Sequence, residues 1–200
     1  MEGRYPFPCA ETFALGYNII IFDPAGRGAS WGTEDYGGLE HQDNLHTMLQ
    51  WAQQNGSSSL GVISIGCGLS MALGGISSFS GEVLFLLDFE GPSDEEFLRT
   101  YYPLSPKKMD EHFWKERSPI QLFSNFSTRY IRLQAEKDHL CAYDMRHCNR
   151  IFRQLKNQNH KQFQLNDHPM GQYPPQPQLL VADKRVIEKK FVEVLKGFLP

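Results

Sequence analysis

The sequence predicts an α/β protein, with a mostly parallel sheet and helices packed on both of its faces. Three observations predict it. Short apolar runs rich in β-branched residues recur along the chain, at "YNIIIFD" (17–23), "LGVISIG" (60–66) and "EVLFLLDFEG" (82–91). These runs are apolar on both faces, as in strands buried between two layers of helix. Between them lie stretches with the three- and four-residue apolar spacing of helices. Such alternation implies parallel pairing through helical crossovers. In sheets of this kind, sites form beyond the carboxyl ends of the strands.

The elements follow in order. "YNIIIFD" (17–23) predicts a first buried strand. Residues 38–54 predict a helix, with Leu45, Met48, Leu49 and Ala52 on its apolar stripe. "LGVISIG" predicts a second strand, and "LSMALGGIS" a short helix packed closely through its small residues. "EVLFLLDFEG" is a third strand. Residues 92–117 are charged, aromatic and Pro-interrupted, and predict a small helical insertion over one end of the sheet. Ser118-Pro119 opens a further helix. "RYIRLQAEKD" (129–138) is a fourth strand, followed by a helix at about 143–156 with Met145, Cys148, Phe152 and Leu155 on one face. "KQFQLND" (161–167) is a short fifth strand. A last helix, at about 183–198, buries Ile187, Phe191, Val194, Leu195 and Phe198.

At 200 residues the chain fits a single domain with a sizeable core. A formal net charge of −3 argues against a nucleic-acid binder, which normally shows a basic face. No window approaches the roughly 18 apolar residues of a membrane span. The N-terminal stretch lacks the apolar core of a secretory signal. Cys9, Cys67, Cys141 and Cys148 include no CxxC spacing, so no zinc or redox motif, and no metal or cofactor, is expected. They are expected to be reduced, in a cytoplasmic protein.

The residues after each strand carry the functional expectations. "DPAGRGASWG" (23–32) is a glycine-rich turn that Asp23 and Arg27 could pair to fix. After the next strand, a sharp strand-to-helix turn needs small residues two before and two after its central position. Ser64-Ile65-Gly66-Cys67-Gly68 meets that rule around Gly66. A second register, Gly68-Leu69-Ser70-Met71-Ala72, meets it around Ser70. Spacing favours Gly66, because the strand "LGVISI" ends at residue 65. The second register would need a strand through Gly66-Cys67-Gly68, a poor strand composition. Cys67 is a third candidate, a nucleophile if the helix N-terminus lowers its pKa. Asp138 follows the fourth strand, and Asp167 and His168 follow the fifth. A nucleophile, then an acid, then a histidine is the chain order of one hydrolytic triad. His168 would be the base and Asp138 its orienting acid, with His139 a solvated neighbour.

These residues resemble the α/β-hydrolase superfamily. "GYNIIIFDPAGRGASWG" is similar to that family's fourth strand and its "DxRGxGxSxG" loop, and "LGVISIGCG" to its fifth strand and nucleophile elbow, "LGVIGxSxG". "LQAEKDHL" resembles its seventh strand and acid turn, and "NDHPMG" its histidine loop. The resemblance spans about 13 to 200 and lies nearest the dienelactone-hydrolase-like and esterase-like members. It implies a hydrolase-type parallel sheet and no cofactor.

Two departures stand out. Gly66 occupies the nucleophile slot, and the strands that would precede "YNIIIFD" are absent. One of those would lie between 17–23 and 60–66, so the two runs pair directly, or a longer gene product or another copy of the chain supplies the strand. Three functions are therefore expected in turn. One is a degenerate serine hydrolase binding a small ester or acyl ligand or a partner, with Gly66 and Cys67 lining the nucleophile slot and oxyanion position. Another is an active ester or peptide hydrolase using Ser70 or Cys67 with His168 and Asp138. The last is an interaction module whose contact surface is the aromatic insertion.

Overall fold

A computed structural model describes residues 7–101, 110–139 and 141–199. In chain order, α1 (Cys9–Ala14), α2 (Leu39–Gln54), β1 (Gly61–Ile65), α3 (Gly68–Ser78) and β2 (Phe85–Phe89) come first. Next are α4 (Glu95–Tyr101), α5 (Glu111–Lys115), α6 (Pro119–Leu122), β3 (Arg129–Leu133), α7 (Arg146–Asn157), β4 (Phe163–Leu165) and α8 (Lys184–Lys196). The strands form one parallel sheet in the order β1-β2-β3-β4. Each crossover therefore runs the same way across the sheet, as helix-linked parallel strands require.

Helices cover both faces. Val62, Leu86, Tyr130, Phe163 and Leu165 point to one side, where they meet Leu45 and Leu49 of α2, Leu69 and Leu73 of α3, and Ile151, Phe152 and Leu155 of α7. Phe85, Leu87, Phe89, Ile131 and Leu133 point to the other side and pack on Ile187, Phe191 and Leu195 of α8. The period of two along each strand sorts the side chains between these layers. Asp183 caps α8 by accepting from the backbone N–H groups of Arg185 and Val186.

The first layer also carries charge. Ser64, Asp88 and Arg132 are direct partners in the registers of β1 with β2 and of β2 with β3. All three side chains are buried. Asp88 accepts from Ser64 Oγ at 3.2 Å, Tyr130 Oη at 2.7 Å, Arg132 Nη1 at 2.5 Å and the Gly91 N–H at 3.1 Å. Burial opposes charge on Arg132, but Asp88 outweighs it and holds the guanidinium pKa well above its ordinary value. Taking these charges out of water is tolerable only because each has several partners.

The structure departs from these expectations at two points. Residues 17–23 are not a strand. Among the described residues, the backbone of 17–22 makes no backbone hydrogen bond, and β1 pairs only with β2. Tyr17 and Phe22 pack on the core, while Ile20 and Ile21 are exposed. An apolar run becomes a strand only when a neighbour accepts its backbone groups. Helix α1 was not foreseen. In the 92–117 insertion, α4 and α5 are helical as expected, and residues 102–109 of it lie outside the described residues. Phe97, Leu98 and Trp114 are buried, so these three side chains are turned away from solvent.

Candidate functional site at the carboxyl ends of the strands

Residue 66 sits where the chain turns from β1 into α3. The strand ends at Ile65, the helix begins at Gly68, and Gly66 between them has φ +54°. A side chain at that φ is strained, so the turn favours glycine. The Gly66 N–H donates to Phe89 O at 2.9 Å and ties the turn to the end of β2. The turn between β1 and α3 is thus centred on Gly66, a residue with no side-chain nucleophile.

The two other candidates lie beside it. Ser70 is fully buried inside α3, and its hydroxyl donates to Arg117 O at 2.5 Å. That bond joins α3 to the segment after α5. Cys67 is half-buried at the helix start. Burial pushes its thiol up to about 12, with Asp138 adding to the rise and Arg27 opposing it. The helix terminus does not yield a thiolate here, because loss of water outweighs the dipole.

Beyond β3, Asp138 and Ala142 bond each other's backbone across a tight turn, Asp138 N–H to Ala142 O at 2.6 Å and back at 3.0 Å. The Asp138 carboxylate accepts from Gln134 Nε2 at 2.9 Å and from the Cys141 N–H at 2.9 Å. His147 Nε2, at the start of α7, lies 3.0 Å from its Oδ2. Burial pushes the Asp138 carboxyl pKa up, but His147, Gln134 and the Cys141 N–H outweigh burial and hold it below the ordinary carboxylate range. His139 is no solvated neighbour. Its Nδ1 lies 2.6 Å from Glu90 Oε2, and its ring stacks on Phe89 at 5.6 Å.

Glu90 was not singled out from sequence. It is buried at φ +56° just past β2. A non-glycine there costs on the order of 1–3 kcal/mol. Its carboxylate accepts from the Ala135 N–H at 2.9 Å and the His139 N–H at 3.0 Å, which offsets that strain and holds the Asp138 loop in place.

Beyond β4, Asn166 at φ +47° uses its side-chain amide as a backbone mimic. It accepts from the Gln134 N–H at 3.0 Å and donates to Gln134 O at 3.0 Å. His168 follows this turn as expected. Its Nε2 accepts from the Gln178 N–H at 2.9 Å, so the ring proton sits on Nδ1. Asp167 pairs with Lys190. Among the described residues no hydrogen bond joins Asp138 to His168; the imidazole beside Asp138 is that of His147.

The glycine-rich turn after residue 23 also pairs differently from expectation. Arg27 grips Glu34 through Nε at 2.6 Å and Nη2 at 2.9 Å, while Asp23 accepts from the Ala29 N–H at 3.2 Å.

Behind the site, Arg132 Nη2 reaches Gln134 Oε1 at 2.7 Å and His147 Nδ1 at 3.1 Å. Asp88, Arg132, Gln134, His147 and Asp138 thus form one continuous polar chain from mid-sheet to the strand ends. The sequence signal for it was an Asp and an Arg inside the apolar runs "FLLDF" and "RYIRL".

No protein-family model matches this sequence, and no curated protein does. Among solved structures, the Pyrococcus furiosus esterase PF2001 superposes with a TM-score of 0.67, over 96% of this chain and 74% of that one, at 17% identity. At that identity the likeness is one of fold. The chain has a parallel α/β fold that superposes on the fold of that esterase.

Proposed function

We propose that this chain is a degenerate hydrolase-fold protein, which binds a small ester or acyl ligand at the strand ends and does not hydrolyse it through a serine or cysteine. The observation that carries this reading is Gly66 at the centre of the elbow, with β1 ending at Ile65 and α3 beginning at Gly68. Covalent acyl transfer needs a side-chain lone pair beside a base, and glycine has none. Ser70 does not substitute, since its hydroxyl proton is committed to Arg117 O inside the helix layer. Cys67 does not substitute, since its thiol keeps its proton near neutrality. The orienting pair is incomplete as well, with His168 Nε2 occupied by the Gln178 N–H.

What remains is a binding geometry. Among the backbone N–H groups that open α3, that of Leu69 already donates to Gly66 O at 3.2 Å, and that of Gly68, without a partner within the helix, suits a carbonyl or carboxylate oxygen. Removing a triad nucleophile leaves only the residual rate from such donors and from binding, orders of magnitude below a complete site.

A fluorophosphonate probe tests the reading. Purified protein is expected to show no labelling by intact mass. One probe per chain, lost on Ser70→Ala or Cys67→Ala, overturns it.

A further inference from the structure

Asp138, Cys141 and His147 come from one loop and the helix that follows it, and all three are buried, at 2%, 5% and 0% exposure. One ligating atom from each, a carboxylate oxygen, a sulfur and an imidazole nitrogen, lies within 4.8 Å of the other two. The hydrolytic reading uses only Asp138 of this cluster and leaves Cys141 and His147 without a role. A second observation concerns His147. Its Nε2 lies 3.0 Å from Asp138 Oδ2 as an ion-pair contact, with no well-formed hydrogen bond to that or any other atom among the described residues. A buried imidazole nitrogen in that position costs free energy unless something else satisfies it.

We propose that Asp138, Cys141 and His147 bind a zinc-class divalent cation, with a fourth position left for water or a small ligand. The donor set is one nitrogen, one oxygen and one sulfur, which suits a borderline-soft cation with tetrahedral preference and disfavours calcium or magnesium.

The surroundings match what ligating groups need. Metal-bound imidazoles donate their other ring N–H to a backbone carbonyl or carboxylate. His147 Nδ1 lies 3.1 Å from Arg132 Nη2 and 3.2 Å from Gly91 O; a cation on Nε2 places the ring proton on Nδ1, so the guanidinium turns off that nitrogen onto Gln134 and Gly91 O takes the proton. Asp138 is held from behind by Gln134 Nε2 and the Cys141 N–H. The nearby Arg132 guanidinium does not oppose the charge, because Asp88 neutralises it at 2.5 Å. Binding exchanges the Cys141 thiol proton for a metal–sulfur bond, so one proton leaves with each cation bound there. The neighbouring group Glu90, Asp138 and His139 also converges. There Glu90 and His139 already satisfy each other at 2.6 Å, so the cation belongs on the Cys141 side.

This inference is independent of the reading of Gly66, and its test is separate. The chelator-treated 200-residue chain is titrated with cobalt(II). The expected result is one cobalt per chain with a near-ultraviolet thiolate-to-cobalt charge-transfer band, displaced by one equivalent of zinc. Zinc should also raise the melting temperature. Cys141→Ser should lose the band and most of the zinc-dependent shift while keeping the parent's circular dichroism. Cys9→Ser, which alters an exposed thiol, should keep both. No charge-transfer band in the parent, a band that survives in Cys141→Ser, or one lost only in Cys9→Ser overturns the assignment. An equal zinc shift in parent and Cys141→Ser also overturns it.

Discussion

Cys67 shows how far burial alone decides reactivity. Its position at the start of α3 suggested a lowered pKa, yet the structure puts the thiol at about 12. The sign is clear: burial favours the neutral form, so the thiolate fraction at pH 8 is small and rises only in strong alkali. In a Cys9→Ser background, iodoacetamide should modify Cys67 at pH 8 about a thousandfold more slowly than an ordinary thiol of pKa ~8.5. The rate should climb close to tenfold per pH unit up to about pH 11, given the thiol near 12. Mass spectrometry of timed aliquots measures it, and a rate near that of a free thiol at pH 8 would remove the argument against Cys67. At this scale the sequence was only partly legible. Gly66 could be placed from strand length and small-residue spacing, because both are local. Glu90, Gln134 and His147 could not, because their roles arise from contacts between segments far apart in the chain.

Helices α2 and α3 show a different kind of legibility. The small residues of "LSMALGGIS" implied close packing, and the structure supplies its geometry. A Cβ on Gly75 would lie 2.8 Å from both Gln42 O and Leu45 Cβ of α2. One of those atoms is backbone, so relief requires the helices to separate. Gly75→Ala gains about 1 kcal/mol of helix propensity but overpacks the contact, at about 1–3 kcal/mol. The net expectation is destabilisation of about 1 kcal/mol, seen as a lower urea midpoint with an unchanged slope. A raised midpoint would mean the helices part freely. The segment 17–23 marks the opposite limit. Its composition is that of a buried strand, and nothing local in it reveals whether a neighbour is present to pair with it. Strand identity is a property of two segments, whereas helix identity is largely a property of one.

The architecture of the whole molecule was the most legible level, since alternating patterns and helix-length crossovers leave few arrangements for a parallel sheet. The one row it did not disclose is Ser64, Asp88 and Arg132, which spans three adjacent strands. That row bears on how the protein opens. Separating β3 from β2 exposes apolar area and also parts the buried Asp88 and Arg132, whereas separating β1 takes only the Ser64 hydroxyl from Asp88. Opening between β2 and β3 is therefore penalised more steeply than opening at β1. Amide protons of β2 and β3 should exchange with a single free energy, equal to that of global unfolding, with no sub-global step assigned to either strand. Asp88→Asn keeps the shape but abandons Arg132, and should cost about 3–5 kcal/mol. A sheet held together by side-chain packing alone could part between any two strands; this one is expected to keep β2 on β3 until the whole molecule opens.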